Sequence, residues 1–176
     1  MFSLRPKRKT FLYKGDKKLP RGVTHVDIHE SVTKIKPETF QDCKSLASIS
    51  IPLSVTSIGS HAFYGCSSLA SISIPTSVTH IGHNAFNRCS SLTSISLPSS
   101  ITEIKQYTFC WCESLTSVSL PSSITSMEDG AFQSCHSLVS VTIPSSVTKI
   151  ASYAFNHCSS LASVTIPSSI TYIRSG

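Results

Sequence analysis

The stretch LASISIPTSVTHIGHNAFNRC, residues 69–89, sets the pattern of the whole chain. Leu69, Pro75, Phe86 and Cys89 each belong to a series of identical residues spaced 23 apart. The phenylalanine series is Phe40, Phe63, Phe86, Phe109, Phe132 and Phe155, and the cysteine series is Cys43, Cys66, Cys89, Cys112, Cys135 and Cys158. A constant period of roughly 20 to 50 residues is typical of solenoids and repeat arrays. The sequence therefore predicts a stack of similar units.

Each unit combines two kinds of local pattern. In LASISI, residues 69–74, apolar residues alternate with serine, which predicts a strand with one buried face. Pro75 has no amide hydrogen to give to a sheet, so it ends that strand. SVTHI, residues 77–81, predicts a second short extended segment. AFYGC, residues 62–66, spaces its apolar side chains by one helical turn and predicts a short helical turn.

Neighbouring units must bury each other's apolar side chains, because one unit offers too few for a core of its own. The predicted fold class is an α/β, β-rich repeat solenoid with 23-residue repeats, each containing a strand and a short helical turn. The solenoid is expected to cover residues 23–176, about six and a half repeats by the 23-residue period. Residues 1–22 are expected to form a basic amino-terminal arm that acts partly as a cap.

Length and composition favour one ordered domain. The 176 residues fit a single domain, and the 40% hydrophobic residues are spread evenly, which argues against disorder. No apolar run approaches the ~20 residues of a membrane helix. The opening MFSLRPKRKT lacks the apolar stretch of a secretory signal. With free cysteines, this predicts an intracellular location, cytoplasmic or nuclear, and the cell surface is the alternative.

The cysteines are expected to be free thiols. Equivalent side chains in stacked strands lie ~4.8 Å apart, whereas the Cβ atoms of a disulfide lie ~3.5–4.5 Å apart. Cys112 belongs to the periodic series, but Cys110 replaces the polar or amphipathic Tyr64, Asn87, Gln133 and Asn156 of other units. The six periodic cysteines are therefore predicted to be buried and reduced, with Cys110 as the exposed thiol. A single C-x-C pair is a weak metal signal, so no metal site or cofactor is predicted.

The charge of the chain is concentrated at its amino terminus. Residues 1–22 contain eight lysines and arginines against Asp16, a charge of +7, while the whole chain carries +6, which leaves −1 for residues 23–176. Such an arm could bind nucleic acid or an anionic membrane, and PKRK resembles a minimal nuclear-import cluster. The other interpretation is a solvated arm, with Phe11, Leu12 and Tyr13 covering the first repeat.

The variable positions of the repeat supply the candidate binding residues. The outward strand positions hold small neutral residues, mostly serine and threonine, whereas the turn side varies from unit to unit. The predicted partner-binding residues are Tyr64, His83, Arg88, Tyr107, Trp111 and Tyr153. Arg88 and Trp111 are equivalent in neighbouring units and are expected to be adjacent, with a possible cation–π contact. Tyr107 and Trp111 are four apart and would share one face of a helical turn.

Nothing in the sequence indicates catalysis. Serines are too numerous for a nucleophile to be chosen by residue type, and no glycine-rich phosphate loop is present. His80 and His83 are three apart, but no carboxylate or cysteine at a variable position obviously joins them. The chain is therefore predicted not to be an enzyme.

The repeat resembles the BspA-type (Treponema-type) class of leucine-rich repeats. Residues 69–89 match the frame L-x-x-I-x-I-P-x-x-V-x-x-I-G-x-x-A-F-x-x-C nearly position for position. Gly59 and Gly82 give way to Lys105, Glu128 and Ala151 in later units. The resemblance implies a right-handed arc with one strand per repeat on its concave side. It also implies protein–protein or cell-surface binding rather than catalysis.

These observations favour an intracellular scaffold that binds a protein partner through its variable positions. The alternatives are a cell-surface adhesin, or a tether to nucleic acid or membrane through residues 1–22. The last unit leaves Val164, Ile166, Ile170 and Ile173 without a following unit to cover them. A truncated product, or end-to-end self-association that hides this edge, is therefore expected.

Overall fold

The computed structural model describes residues 9–15 and 19–174. These residues form a solenoid of short strands, and every strand pairs in parallel with the equivalent strand of a neighbouring turn. The strands are β1 Thr10–Tyr13, β2 His25–Ile28, β3 Lys34–Ile35, β4 Ser48–Ser50, β5 Ser57–Ile58, β6 His80–Ile81, β7 Ser94–Ser96, β8 Glu103–Ile104, β9 Ser117–Ser119, β10 Ser126–Met127, β11 Ser140–Val141, β12 Lys149–Ile150 and β13 Tyr172–Ile173.

The strands lie in two rows along the solenoid. One row contains the sheets β1-β2-β4 and β7-β9-β11, and the other contains β3-β5-β6 and β8-β10-β12-β13. The register from β2 onward is one repeat, so Ile35 pairs with Ile58 and Ile58 pairs with Ile81. Both rows are interrupted. The first breaks between β4 and β7, and residues 69–74, predicted as a strand from LASISI, form no strand, so that prediction is wrong. The second row breaks between β6 and β8. The break in the second row coincides with the change from Gly82, where a Cβ would lie 2.5 Å from the Ser60 nitrogen, to Lys105.

The core is a column of stacked phenylalanine rings. From Phe40 to Phe155 consecutive ring centroids lie 5.2–5.6 Å apart, and the planes of successive rings differ by at most 19°. Leu46, Leu69, Leu92, Leu115 and Leu138 form a second buried column beside it. Offset aromatic stacking adds about 0.5–1.5 kcal/mol per pair to the burial of the rings. The predicted 23-residue stack is therefore confirmed as a β-solenoid.

The predicted short helical turn is wrong, because the described residues contain no helix. Each Ala-Phe-x-x-Cys segment is a chain of tight turns in which two residues per repeat have positive φ. The residues are Glu38, Asp42, His61, Gly65, Asn84, Arg88, Tyr107, Trp111, Gly130, Ser134, Tyr153 and His157. A right-handed helix requires negative φ throughout, so these residues break it twice in every repeat.

The amide bonds of the segment explain this conformation. Gln41 and Cys43 donate to the carbonyl oxygens of Glu38 and Phe40, three residues earlier. The alternate amides of Phe40 and Asp42 point the other way and donate to carbonyls of the following turn, at 2.8 and 2.7 Å. Half of the amides thus close local turns while the other half join one repeat to the next.

Side-chain donors also join successive repeats along the described solenoid. Ser54 Oγ donates to the Val32 carbonyl at 2.9 Å, and Ser77, Ser100, Ser123, Ser146 and Ser169 make the equivalent bond. Thr56 and four later threonines each donate to the threonine carbonyl one repeat earlier. The serine and threonine content therefore serves the stacking of the repeats.

The two ends of the described solenoid differ. At the amino end β1 pairs with β2, and the buried Tyr13 packs edge-on against Phe40 with ring centroids 5.3 Å apart. Phe11 packs against the core, whereas Leu12 is exposed. At the other end Ile166 is 48% exposed and Ile173 is 59% exposed, although the equivalent Ile143 and Ile150 are buried. Within the described ranges no helix is long and apolar enough to cross a membrane.

Candidate functional site

A surface groove runs along the turn side of the first four repeats. Its volume is about 740 Å³. Tyr64, Arg88 and Trp111 of the predicted set line it. The sequence analysis missed the other lining residues, Asp42, Lys44, Gly65, Ser67, Ser90 and Glu113. Among the predicted binding residues, the structure thus brings three together at one surface.

Two rows of equivalent positions build the groove. Asp42, Gly65, Arg88 and Trp111 form the first row, and each has positive φ, between 54° and 69°. The second row, two residues further along each turn, consists of Lys44, Ser67, Ser90 and Glu113. Gly65 has no side chain, and Asp42 Oδ1 occupies the space where its Cβ would lie. The 23-residue period was the signal that could have revealed the second row.

The aromatic contacts in the groove differ from those predicted. The Arg88 guanidinium lies over the ring of Tyr64, 5.9 Å from its centroid, and not over Trp111. Trp111 instead contacts His136 of the following turn edge-on, with ring centroids 5.9 Å apart. Its side chain is 41% exposed, so it remains available to a partner. Arg88 and Trp111 do line the same groove, as their equivalent positions predicted.

The other three predicted residues lie outside this groove lining. Tyr107 does not share a helical face with Trp111, because the segment is not helical, and its ring covers Gly130 of the next turn. His83 Nδ1 lies 3.7 Å from Glu128 Oε2. Tyr153 is exposed further along the solenoid.

His83 belongs to a charged cluster that crosses three turns. Lys105 Nζ contacts Glu128 Oε1 at 3.1 Å and also forms a close pair with Glu103. The bond to Glu103 raises the pKa of Lys105, and the bond to Lys105 lowers the pKa of the Glu103 carboxyl. Glu128 also accepts a bond from the Gln106 amide at 3.0 Å. Because its charges are paired with one another, this cluster has less to offer a ligand than the groove.

Two predictions for the cysteines are wrong. Cys110 is only 4% exposed, because its short side chain ends below the surface where Tyr64 and Gln133 extend further. Burial raises the pKa of its thiol to about 11. Cys43 is only partly buried, because it borders the cleft between residues 19–23 and 41–45 at the amino end. The other five periodic cysteines are buried as predicted, and all seven are free thiols.

A Ser48–His25–Asp27 hydrogen-bond chain was not found from the sequence. His25 Nδ1 lies 2.6 Å from Ser48 Oγ, and His25 Nε2 lies 2.8 Å from Asp27 Oδ1. The order resembles that of a catalytic triad, but His25 is only 6% exposed and both of its ring nitrogens are hydrogen-bonded. This is the arrangement expected of a buried polar side chain whose bonds are satisfied. The sequence feature that could have revealed this chain is the one-repeat separation of His25 and Ser48, which places them side by side on the adjacent strands β2 and β4.

The strand face offers little chemistry for a specific contact. Ser94, Ser96, Ser117 and Ser119 are exposed there, and their neutral hydroxyl groups recur from turn to turn. No group of three or more histidine, cysteine, aspartate or glutamate side chains placed to hold a metal ion occurs in residues 9–15 and 19–174.

The fold and the groove define a β-solenoid of the leucine-rich-repeat class. The family described as BspA type leucine rich repeat region matches in six copies, over residues 20–110 and 80–176. The chain belongs to this family. None of the curated proteins matches it.

Solved bacterial structures share the fold. A leucine-rich repeat protein from Bacteroides ovatus is 37% identical with a TM-score of 0.83, over 87% of this chain and 40% of that chain. A leucine rich cell surface protein from Faecalibacterium prausnitzii is 36% identical with a TM-score of 0.75, over 81% and 38%. The T. pallidum leucine rich repeat protein is 32% identical with a TM-score of 0.83, over 98% and 82%. The chain therefore spans about two fifths of the first two proteins.

Proposed function

We propose that this chain is a non-catalytic interaction module that binds a protein partner through the groove of its turn side. The observation that carries the proposal is the exposed Trp111 in one groove with Tyr64 and Arg88. Tryptophan, tyrosine and arginine are the residues enriched at binding hot spots. The strand face, lined with serine and threonine, lacks them.

The solenoid suits this role because it presents a surface without needing to move. The phenylalanine column and the carbonyl-bonded serines hold the turns in fixed register. Side chains on such a backbone lose little conformational freedom on binding, which favours affinity. The expected right-handed arc, with the strands on its concave side, is part of the proposal, and it leaves the groove outside the concave face.

Site-specific photo-crosslinking tests the proposal. A benzophenone amino acid is placed at position 90 in the groove lining, where it leaves Trp111 intact, and in a matched control at position 117 on the strand face. We expect position 90 to crosslink one protein from native extract, and Arg88→Ala to abolish that product. Crosslinking from position 117 alone, or no product that depends on Arg88, would refute the groove as the binding surface.

A cell-surface adhesin is the second candidate. The observation favouring it is the likeness to the F. prausnitzii protein, which is described as a cell surface protein. Protease treatment of intact cells that produce the full-length protein separates the two candidates. An intracellular scaffold is protected from the protease, whereas an adhesin is digested.

A further inference from the structure

We propose that the groove is charge-polarised and recognises an extended peptide segment with an acidic and a basic side chain about four residues apart. This inference rests on the proposed function and specifies the chemistry of the partner. It depends on the row Lys44, Ser67, Ser90 and Glu113, which carries opposite charges at its two ends.

The basic end of the groove is suited to an anion. The exposed Lys44 side chain marks this end, the exposed Arg88 side chain follows two turns later, and Ser67 and Ser90 lie in the same lining. Stacking on Tyr64 holds the guanidinium without neutralising it. The Asp42 carboxylate, in the same turn as Lys44, occupies the space above Gly65 and repels an anion there, so an incoming carboxylate is directed towards Lys44 and the two serines.

The acidic end is suited to a cation. Trp111 presents an exposed ring, and the Glu113 carboxylate follows it two residues later in the same lining. A ring face and a carboxylate together attract an ammonium or guanidinium group through cation–π and ionic contacts. Glu113 is exposed and lies one turn beyond Arg88.

The groove charges are not used up by the fold. Among residues 9–15 and 19–174, ion pairs within 4 Å involve His25, Asp27, His83, Glu103, Lys105 and Glu128. Asp42, Lys44, Arg88 and Glu113, the charged residues of the groove lining, are in none of these pairs. By contrast, the nearby cluster around Lys105 is internally paired. The unpaired charges of the groove are therefore the ones available to a partner.

The spacing sets the length of the segment. Lys44 and Glu113 are three repeats apart, which corresponds to about 14 Å at ~4.8 Å per strand spacing. An extended peptide advances ~3.3 Å per residue, so about four residues separate the two charges it must carry. Either backbone direction is allowed. The acidic residue of the segment can precede or follow the basic one, provided that the acidic side chain meets Lys44 and the basic one meets Glu113.

Seven-residue peptides with blocked ends test the inference. The parent peptide is Gly-Asp-Ser-Val-Ser-Lys-Gly, and its controls carry aspartate at both charged positions, lysine at both, or serine at both. Trp111 is the only tryptophan of the chain, so its fluorescence reports binding at the groove itself. We expect the parent peptide to bind with a Kd about tenfold lower than any control, and 0.5 M salt to remove most of that preference.

Charge reversal makes the test specific to the named residues. Glu113→Lys should shift the preference to the peptide with two aspartates, and Lys44→Glu to the peptide with two lysines. Glu30→Lys and Lys34→Glu, exposed positions outside the groove lining, are the matched controls and should leave the preference unchanged.

The results separate this inference from the proposed function. If all four peptides bind equally, or if the reversals leave the preference unchanged, the charge-polarised groove is refuted. A partner that still crosslinks from position 90 would then preserve the proposed function. Loss of that crosslink with retained peptide selectivity would refute the proposed function and leave the charge-polarised groove standing.

Discussion

The Sγ of Cys89 donates to the carbonyl oxygen of Phe63, 3.2 Å away in the turn before. Cys66, Cys112, Cys135 and Cys158 make the same bond to the phenylalanine carbonyl 26 residues earlier. The periodic cysteine is thus a buried donor that joins one repeat to its predecessor. It gives the cysteine series a structural role that involves neither metal nor disulfide.

Alkali should destabilise the folded protein. Burial raises the pKa of Cys66, Cys89 and Cys112 well above that of a thiol in the unfolded chain. As the pH rises, the thiols of the unfolded chain ionise first, while the buried thiols of the folded protein stay protonated. Ionisation therefore favours the unfolded chain, so the free energy of unfolding is full below about pH 8.5 and falls above it. Above that pH, each of the three thiols lowers the free energy of unfolding by about 1.4 kcal/mol per pH unit, so together they lower it by about 4 kcal/mol per pH unit.

Urea denaturation with reductant at pH 8, 9 and 10 measures this slope. Cys89→Ala should lower it by about one thiol's share, or 1.4 kcal/mol per pH unit. A free energy of unfolding that does not change between pH 8 and pH 10 would contradict the prediction.

Thiol labelling should begin at Cys43 and not at Cys110. Cys43 is only partly buried, whereas Cys110 is enclosed and has a pKa raised to about 11. Mass spectrometry after brief exposure to iodoacetamide at pH 8 should find one modified site. Cys43→Ser should remove that signal and Cys110→Ser should leave it. Early modification of Cys110 in the native protein would mean that its position is open to solvent.

Phe109→Ala and Trp111→Ala should have opposite effects. Phe109 is fully buried between Phe86 and Phe132, so its loss should cost about 3–5 kcal/mol of unfolding free energy. Trp111 is partly exposed, and its removal should cost less than about 1 kcal/mol while weakening partner binding by at least about 2 kcal/mol. Thermal unfolding measures the first effect, and photo-crosslinking from position 90 of the groove lining, with Trp111 present or replaced, measures the second. Equal destabilisation by both changes would make Trp111 a structural residue.

Gly130→Ala should destabilise the protein by more than about 1 kcal/mol, because φ there is 60° and a Cβ would overlap the Tyr107 ring. The double variant with Tyr107→Ala separates the two causes in a double-mutant cycle of urea midpoints. Removing the ring should recover the part due to overlap and leave the part due to backbone strain. If the two substitutions proved simply additive, the ring contact would contribute nothing.

We propose that two copies of these 176 residues associate through the exposed apolar side chains of the last described turn. Ile173 and Ile166 are exposed there, and Ile173→Asp should shift sedimentation equilibrium towards the monomer. Leu53→Asp is the matched control, since Leu53 is even more exposed but lies near the other end of the solenoid. A wild-type protein that stays monomeric at high concentration would count against this edge as an interface.

The sequence predicted the period, the core and most of the strands because each depends on a repeated apolar position, but residues 69–74, predicted as a strand, form none. It failed at the Ala-Phe-x-x-Cys segment, because apolar spacings of one and three residues suit a chain of tight turns as well as a helix. Gly65 and Gly130 were the only hint, since they occupy the two positions that need positive φ. At those positions other repeats carry Arg88 or Tyr107, whose left-handed backbone is fixed by bonds to the next turn.

The candidate site was predictable in composition but not in geometry. Tyr64, Arg88 and Trp111 were identified because they vary where the repeat is otherwise uniform. Which ring the guanidinium stacks on depends on side-chain directions set by the positive-φ turns. The enclosure of Cys110 likewise depends on the length of its side chain relative to its equivalents, which periodicity alone does not reveal.

Within each repeat, the amides of the turn segment bond forward while those at the start of the second strand row bond backward. The Phe86 amide donates to Thr108 of the next turn, and the Thr79 amide donates to Thr56 of the turn before. An interior repeat is therefore held by both neighbours and a terminal one by a single neighbour. In statistical terms the solenoid behaves as a one-dimensional chain of coupled units, with cooperativity residing in the interfaces rather than in any one repeat. Hydrogen exchange should accordingly be slowest in the central turns and become faster in steps towards each end.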